Sequence, residues 1–133
     1  MANNLFKKSF LHKNFKQVSY DSLWNKNGVF TTIRLKGYPP KFIFLQEHLK
    51  KLNVSLKKLN IDFNINFIKL KNLLKNEFKK KKNHDHLLRL AINYKIISID
   101  LRKRLKPSKF FTGILVNYKR TNPSIKNLRY NKI

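Results

Sequence analysis

Residues 28–62 read GVFTTIRLKGYPPKFIFLQEHLKKLNVSLKKLNID. This stretch decides the fold, because the apolar period changes inside it from that of a strand to that of a helix. Over residues 28–35, Val29, Thr31, Ile33 and Leu35 fall on one side of an extended chain, and Phe30, Thr32 and Arg34 on the other. β-Branched and aromatic residues dominate, so this is a strand. Gly37-Tyr38-Pro39-Pro40 interrupts it, and residues 41–45 (KFIFL) return as a second strand. Two prolines beside the turn predict a loop or ragged edge rather than the tightest hairpin. From Leu45 the leucines recur at 49, 52, 56 and 59, which is one apolar stripe of an amphipathic helix, with Lys50, Lys51, Lys57 and Lys58 largely off that line.

Outward from this core the pattern continues. Ile68, Leu70, Leu73, Leu74 and Phe78 predict a second helix, with Asn64 or Asn66 as its cap. It runs into residues 79–86 (KKKKNHDH), read as a solvated loop. Residues 87–99 (LLRLAINYKIISI) are one long β-prone stretch, residues 102–107 a basic turn, and residues 110–118 (FFTGILVNY) a further strand. The tail from 119 to 133 carries Asn122-Pro123, a loop signal. Residues 1–19, basic with isolated aromatics, read as an irregular lead-in or a first edge strand. The order β–β–α–α–β–β predicts an α+β domain: an antiparallel sheet with two helices on one side.

Composition narrows the function classes. The chain has 133 residues, of which 41% are apolar, so it is expected to fold around a real core rather than remain disordered. It carries 31 Lys and Arg against 6 Asp and Glu, a formal net charge of +25. A field of that size attracts nucleic-acid phosphate. The cations are scattered, however, and Lys, Asn, Ile and Phe are abundant while Gly, Ala and Pro are scarce. That profile reads better as the codon drift of an AT-biased genome. With no cysteine, disulfides, thiolate metal sites and thiol nucleophiles are excluded. No apolar run reaches the roughly 20 residues that span a bilayer, and no signal-peptide core opens the chain. A cytoplasmic location without a membrane partner is the expectation.

Glycine-rich phosphate loops are absent, with three glycines in all. His84 and His86 flank Asp85, but no second ligand cluster lies nearby, so no metal site is expected.

Three segments together resemble the class IV aminotransferase and aminodeoxychorismate lyase family, in its N-terminal half. The strand Gly28-Val29-Phe30-Thr31-Thr32-Ile33-Arg34 is similar to that family's G-V-F-E-T-I-R strand. Glu47-His48-Leu49-Lys50-Lys51-Leu52, with Ser55 and Leu59 in register, is similar to its E-H-x-x-R-L helix. Ser124-Ile125-Lys126-Asn127-Leu128-Arg129-Tyr130 resembles the segment whose lysine bonds covalently to pyridoxal phosphate. Weaker likenesses are Val18-Ser19-Tyr20-Asp21 to the family's V-S-x-D lead-in, and residues 88–92 to a strand bearing a substrate-facing basic residue.

The resemblance implies the α+β N-terminal domain of a fold-type IV enzyme over residues 1–118, with residues 119–133 beginning an interdomain segment and second domain. It implies pyridoxal 5'-phosphate as cofactor, a small amino substrate, and a homodimer or a partner chain carrying the second half. By the same likeness Lys126 is the catalytic, cofactor-bonded lysine. Lys51 stands where the family has a phosphate-binding arginine, keeping the charge without the two-pronged geometry. Tyr130 falls near the ring hydroxyl, Arg89 faces a substrate carboxylate, and Phe30 lines the substrate pocket. Phe30-Thr31-Thr32 is more similar to the lyases, which make 4-aminobenzoate and pyruvate for folate, than to the branched-chain aminotransferases. Departures are Asn25-Lys26-Asn27-Gly28 where Tyr-Gly-Asp-Gly is usual, and an end at Ile133 where the family runs on to an acidic partner for the pyridine nitrogen. Those departures predict an impaired, truncated enzyme. The alternatives are a catalytically dead remnant or a small basic RNA-binding protein.

Overall fold

A computed structural model describes residues 4–78, 83–119, 124, 125 and 128. Six strands and two helices follow in the order β1 (Asn4–Leu11), β2 (Gln17–Val18), β3 (Gly28–Gly37), β4 (Lys41–Phe42), α1 (Leu45–Lys58), α2 (Phe67–Glu77), β5 (His84–Asn93) and β6 (Ile96–Lys103). The strands form one sheet in the order β2-β1-β6-β5-β3-β4. Every pairing is antiparallel. This is the expected α+β architecture.

The registers fix which side chains share a face. Val29, Thr31, Ile33 and Leu35 of β3 stand opposite Ile92, Leu90, Leu88 and His86 of β5. Those in turn stand opposite Ile97, Ile99, Leu101 and Lys103 of β6. The apolar members of this face join Leu45, Leu49, Leu52 and Leu56 of α1 and Leu70 and Leu74 of α2 in one buried cluster, so both helices pack on the same side of the sheet. The leucine stripe predicted from sequence is therefore the buried face of α1. A Thr31 hydroxyl to His48 Nδ1 hydrogen bond of 2.7 Å ties α1 to β3 about one turn before Lys51.

Local chemistry sets the helix ends. Asn66 caps α2, its side chain accepting from Lys69 N–H at 3.0 Å. After α1, Asn60 takes a left-handed φ of 56°. Asn60 N–H donates to Lys57 O and Ile61 N–H to Leu56 O, each at 3.0 Å, closing the helix in a Schellman turn whose apolar seal is the buried Ile61.

Several expectations are corrected, among them the strand expected over residues 41–45, of which only Lys41–Phe42 pairs. Residues 87–99 are not one strand but two, divided where the Asn93 side chain accepts from Lys95 N–H at 2.9 Å and from Ile96 N–H at 2.7 Å. An Asx turn of this kind satisfies the backbone locally and reverses the chain. Residues 84–86 are not solvated loop. They begin β5, with His84 and His86 buried against Phe78 and each other. Arg102 and Lys103 extend β6 rather than forming a turn. Residues 110–118 form no strand: they run irregular and exposed, because an extended apolar segment gains strand hydrogen bonds only where an edge accepts it. The lead-in, read as irregular or an edge strand, supplies an inner one, since β1 lies between β2 and β6. Among the described residues no helix is long and apolar enough to cross a membrane.

Candidate functional site

The sheet face away from the helices carries the chemistry. Thr32, Arg89 and Asp100 are register neighbours across β3, β5 and β6. Arg89 and Asp100 are both buried, and Arg89 Nη1 donates to Asp100 Oδ2 at 3.0 Å. Arg89 Nη2 donates to the Ser22 carbonyl at 2.8 Å. Beside this pair, Ser9 and Ser98 share a hydrogen bond of 2.7 Å, and Asp21 N–H donates to Ser9 Oγ at 3.0 Å. A paired buried charge is tolerated in a way that a lone one is not, although among the described residues Arg89 Nε has no hydrogen-bond partner.

These bonds lay residues 20–27 across the face. Leu23 is fully buried with Ala91 and Leu128, against Phe30 and Ile96. Leu23 and Asn25 take left-handed φ values of 60° and 62°, an uncommon conformation for a leucine above all. Between them Trp24 is held with its ring 4.1 Å from the Arg89 guanidinium carbon, and 5.4 Å from the Phe30 ring. The guanidinium lies also within 5.9 Å of Phe30. The result is a wall of indole, guanidinium and phenyl, with Trp24 as a residue 39% exposed.

The tail returns to this wall. Leu128 N–H donates to Gly28 O at 3.0 Å, and Asn25 N–H donates to Leu128 O at 3.1 Å. Ile125 and Leu128 are both buried, Ile125 with the helix-side core and Leu128 with Leu23. Gly28 makes the approach workable. A Cβ there would sit 2.5 Å from Ile92 O and 2.7 Å from Leu128 Cδ1.

Two groups shift their protonation. Burial pushes the Tyr20 hydroxyl up, reinforced by the Asp100 carboxylate to which it donates at 3.4 Å. The hydrogen bond from Lys26, and then that from Leu23 N–H, holds the Asp21 carboxyl below its ordinary value. Among the described residues no group of three or more His, Cys, Asp or Glu is gathered to hold a metal ion.

The sequence-predicted residues divide accordingly. Arg89 and Phe30 are brought together on the wall, with both terminal nitrogens of Arg89 already donating within the fold. Lys51 is exposed on α1, in the layer on the other side of the sheet. Lys126 and Tyr130 lie outside the described residues. Asp100 and Trp24 were missed. Trp24 is the one tryptophan in the chain, the signal that was available. Asp100, an acid inside an apolar strand, carried a comparable one.

The sequence model of the amino-transferase class IV family matches residues 28–133. That span takes in Phe30, Lys51, Arg89, the Gly28 contact and the tail, but not Trp24. No curated protein sequence matches the chain.

Proposed function

The chain belongs to the class IV aminotransferase family, and from that premise we propose that it contributes a pyridoxal-phosphate site acting in the cytoplasm on a small amino substrate. The reaction favoured is release of pyruvate from 4-amino-4-deoxychorismate to leave 4-aminobenzoate, as in folate synthesis, on the strength of Phe30-Thr31-Thr32. Transamination of branched-chain amino acids is the second reading.

One observation carries the proposal. Ile125 and Leu128, which flank position 126 in the sequence, are both buried, and the Leu128 backbone donates to Gly28 O at the start of β3 and accepts from Asn25 N–H in the loop before it. A residue that must hold a cofactor needs a fixed backbone, and these two anchors stand one and two positions from Lys126 in the sequence. The close cradle at Gly28 fits the same purpose, since a Cβ there would crowd Ile92 O and the Leu128 side chain.

Pyridoxal phosphate, when bound, supplies a sink for the electrons released at the substrate α-carbon. The chain's own residues do the rest. Lys126 would hold the cofactor and would carry a proton at its Nζ. Tyr130 would contribute beside the ring hydroxyl, as the family likeness implies. Phe30 would line the substrate side, with Arg89, held by Asp100 and Ser22, buried behind it.

The test is to mix the protein with pyridoxal phosphate, reduce with borohydride and map the adduct by mass spectrometry. A stoichiometric pyridoxyl group on Lys126, lost in Lys126→Ala with other lysines unlabelled, is expected. Diffuse labelling that ignores this substitution would instead leave a relic or a basic binding protein.

A further inference from the structure

We propose that Trp24 selects the substrate class, favouring planar ring-bearing carboxylates over aliphatic ones. This deepens the reading of the wall as the substrate side of the site and rests on it.

Trp24 lies between two residues in left-handed conformations, Leu23 and Asn25. Residues held in sparsely populated regions persist only where their surroundings over-determine them, and they cluster at ligand clamps. Here the surroundings are explicit. Ser22 O is held by Arg89, Leu23 N–H by the Asp21 carboxylate at 2.9 Å, and Asn25 N–H by Leu128 O. The indole is thus fixed from both ends, and one of those ends is the segment that carries Lys126.

Core filling does not account for the placement. The apolar anchor of the loop is Leu23, which is fully buried, while Trp24 as a residue remains 39% exposed. One flank of the indole is taken by the Arg89 guanidinium. A cation against an aromatic face draws on the ring's electrons. The exposed part of the indole is then better suited to a flat, electron-rich, negatively charged partner than to a saturated chain. Phe30, tilted at 58° to the indole, closes one side of that surface. Aromatic pairs gain from offset or edge contact beyond the area they bury, and an aliphatic ligand forgoes that gain.

Arg89 acts here through Trp24 as a positioning residue. Its two terminal nitrogens are engaged by Asp100 and Ser22, so its first effect on a ligand is the stance of the indole.

The probes are 4-aminobenzoate, a planar ring carboxylate, and 4-methylpentanoate, an aliphatic carboxylate of similar length, titrated into the full chain by calorimetry. Wild type should bind the ring compound about tenfold more tightly, the scale of one good stacking contact. Trp24→Leu should bring the two affinities to within about twofold, and Trp24→Phe, which keeps a ring, should retain most of the preference. Should Trp24→Leu fail to fold, the wild-type protein still decides. Its single tryptophan reports on this position alone, and red-edge emission should be quenched saturably by 4-aminobenzoate and not by 4-methylpentanoate. Equal affinities in wild type, a preference untouched by Trp24→Leu, or emission indifferent to both probes would overturn the proposal. Failure of the underlying reading shows separately, as absence of a pyridoxyl adduct on Lys126 in the unsubstituted protein.

Discussion

Arg89 and Asp100 show how one buried pair organises its surroundings. Their side chains are 5% and 7% exposed, and the guanidinium also holds Ser22 and backs Trp24. Removing one partner strands the other charge, so Arg89→Leu should cost about 3–5 kcal/mol in urea denaturation. The double replacement Arg89→Met with Asp100→Leu should cost clearly less, because neither charge is left alone. Double-variant stability close to the sum of the single losses would contradict this coupling. Two neighbours add a pH signature. Asp21 is depressed below its ordinary 3.8, so its contribution is present above that value and is lost as pH falls through the lower folded-state value. Tyr20 is raised above 10.0, so its contribution is present below that pH and is lost as pH rises through the higher folded-state value. Melting temperature followed against pH should therefore lose part of its acid slope in Asp21→Asn and part of its alkaline slope in Tyr20→Phe.

At the level of elements, the parts legible in the sequence were those set by periodicity. The β3 alternation put Val29, Ile33 and Leu35 in the core, and the leucines of α1 meet them there. The Asn66 cap was readable because a cap is a local bond between a side chain and a backbone three residues on. The β5–β6 division was not, because a continuous β-prone run hides a turn that depends on one Asn side chain. Nor was the inner place of β1, whose partner β6 lies some ninety residues away in the chain and leaves no local trace. The site followed the same rule. Phe30 and Arg89 could be named from strand position, while Trp24 gains its meaning only when its loop crosses the sheet. Gly28 joins the two levels, as the point where β3 accepts the returning tail. Gly28→Ala should destabilise by about 1–3 kcal/mol through overpacking, against both the Ile92 carbonyl and Leu128. Loss of amide-exchange protection at Asn25 and Leu128, ahead of the helices, would locate the damage at that junction. Uniform loss would place it in the whole sheet instead.

For the molecule as a whole, two opposed features meet in residues 103–119. Phe110, Phe111, Ile114 and Leu115 are each at least 80% exposed, a contiguous apolar surface of the kind that drives association. The same chain carries a net +25 after its six acids are counted, so the excess of positive charge is large. At low salt, like-charge repulsion between copies should therefore hold the protein apart despite its apolar segment. Salt shortens the reach of that repulsion, from a screening length of about 10 Å at 0.1 M to about 3 Å at 1 M. Apolar contact is not weakened in step, so the balance must turn as salt is added. Sedimentation velocity across that range should show monomer giving way to larger species, the reverse of an association held by ion pairs. Phe111→Ser with Leu115→Ser should shift the onset to higher salt without changing urea stability, since neither side chain packs in the core. Association that salt instead dissolves would mean that charge pairing, and not this segment, brings the copies together.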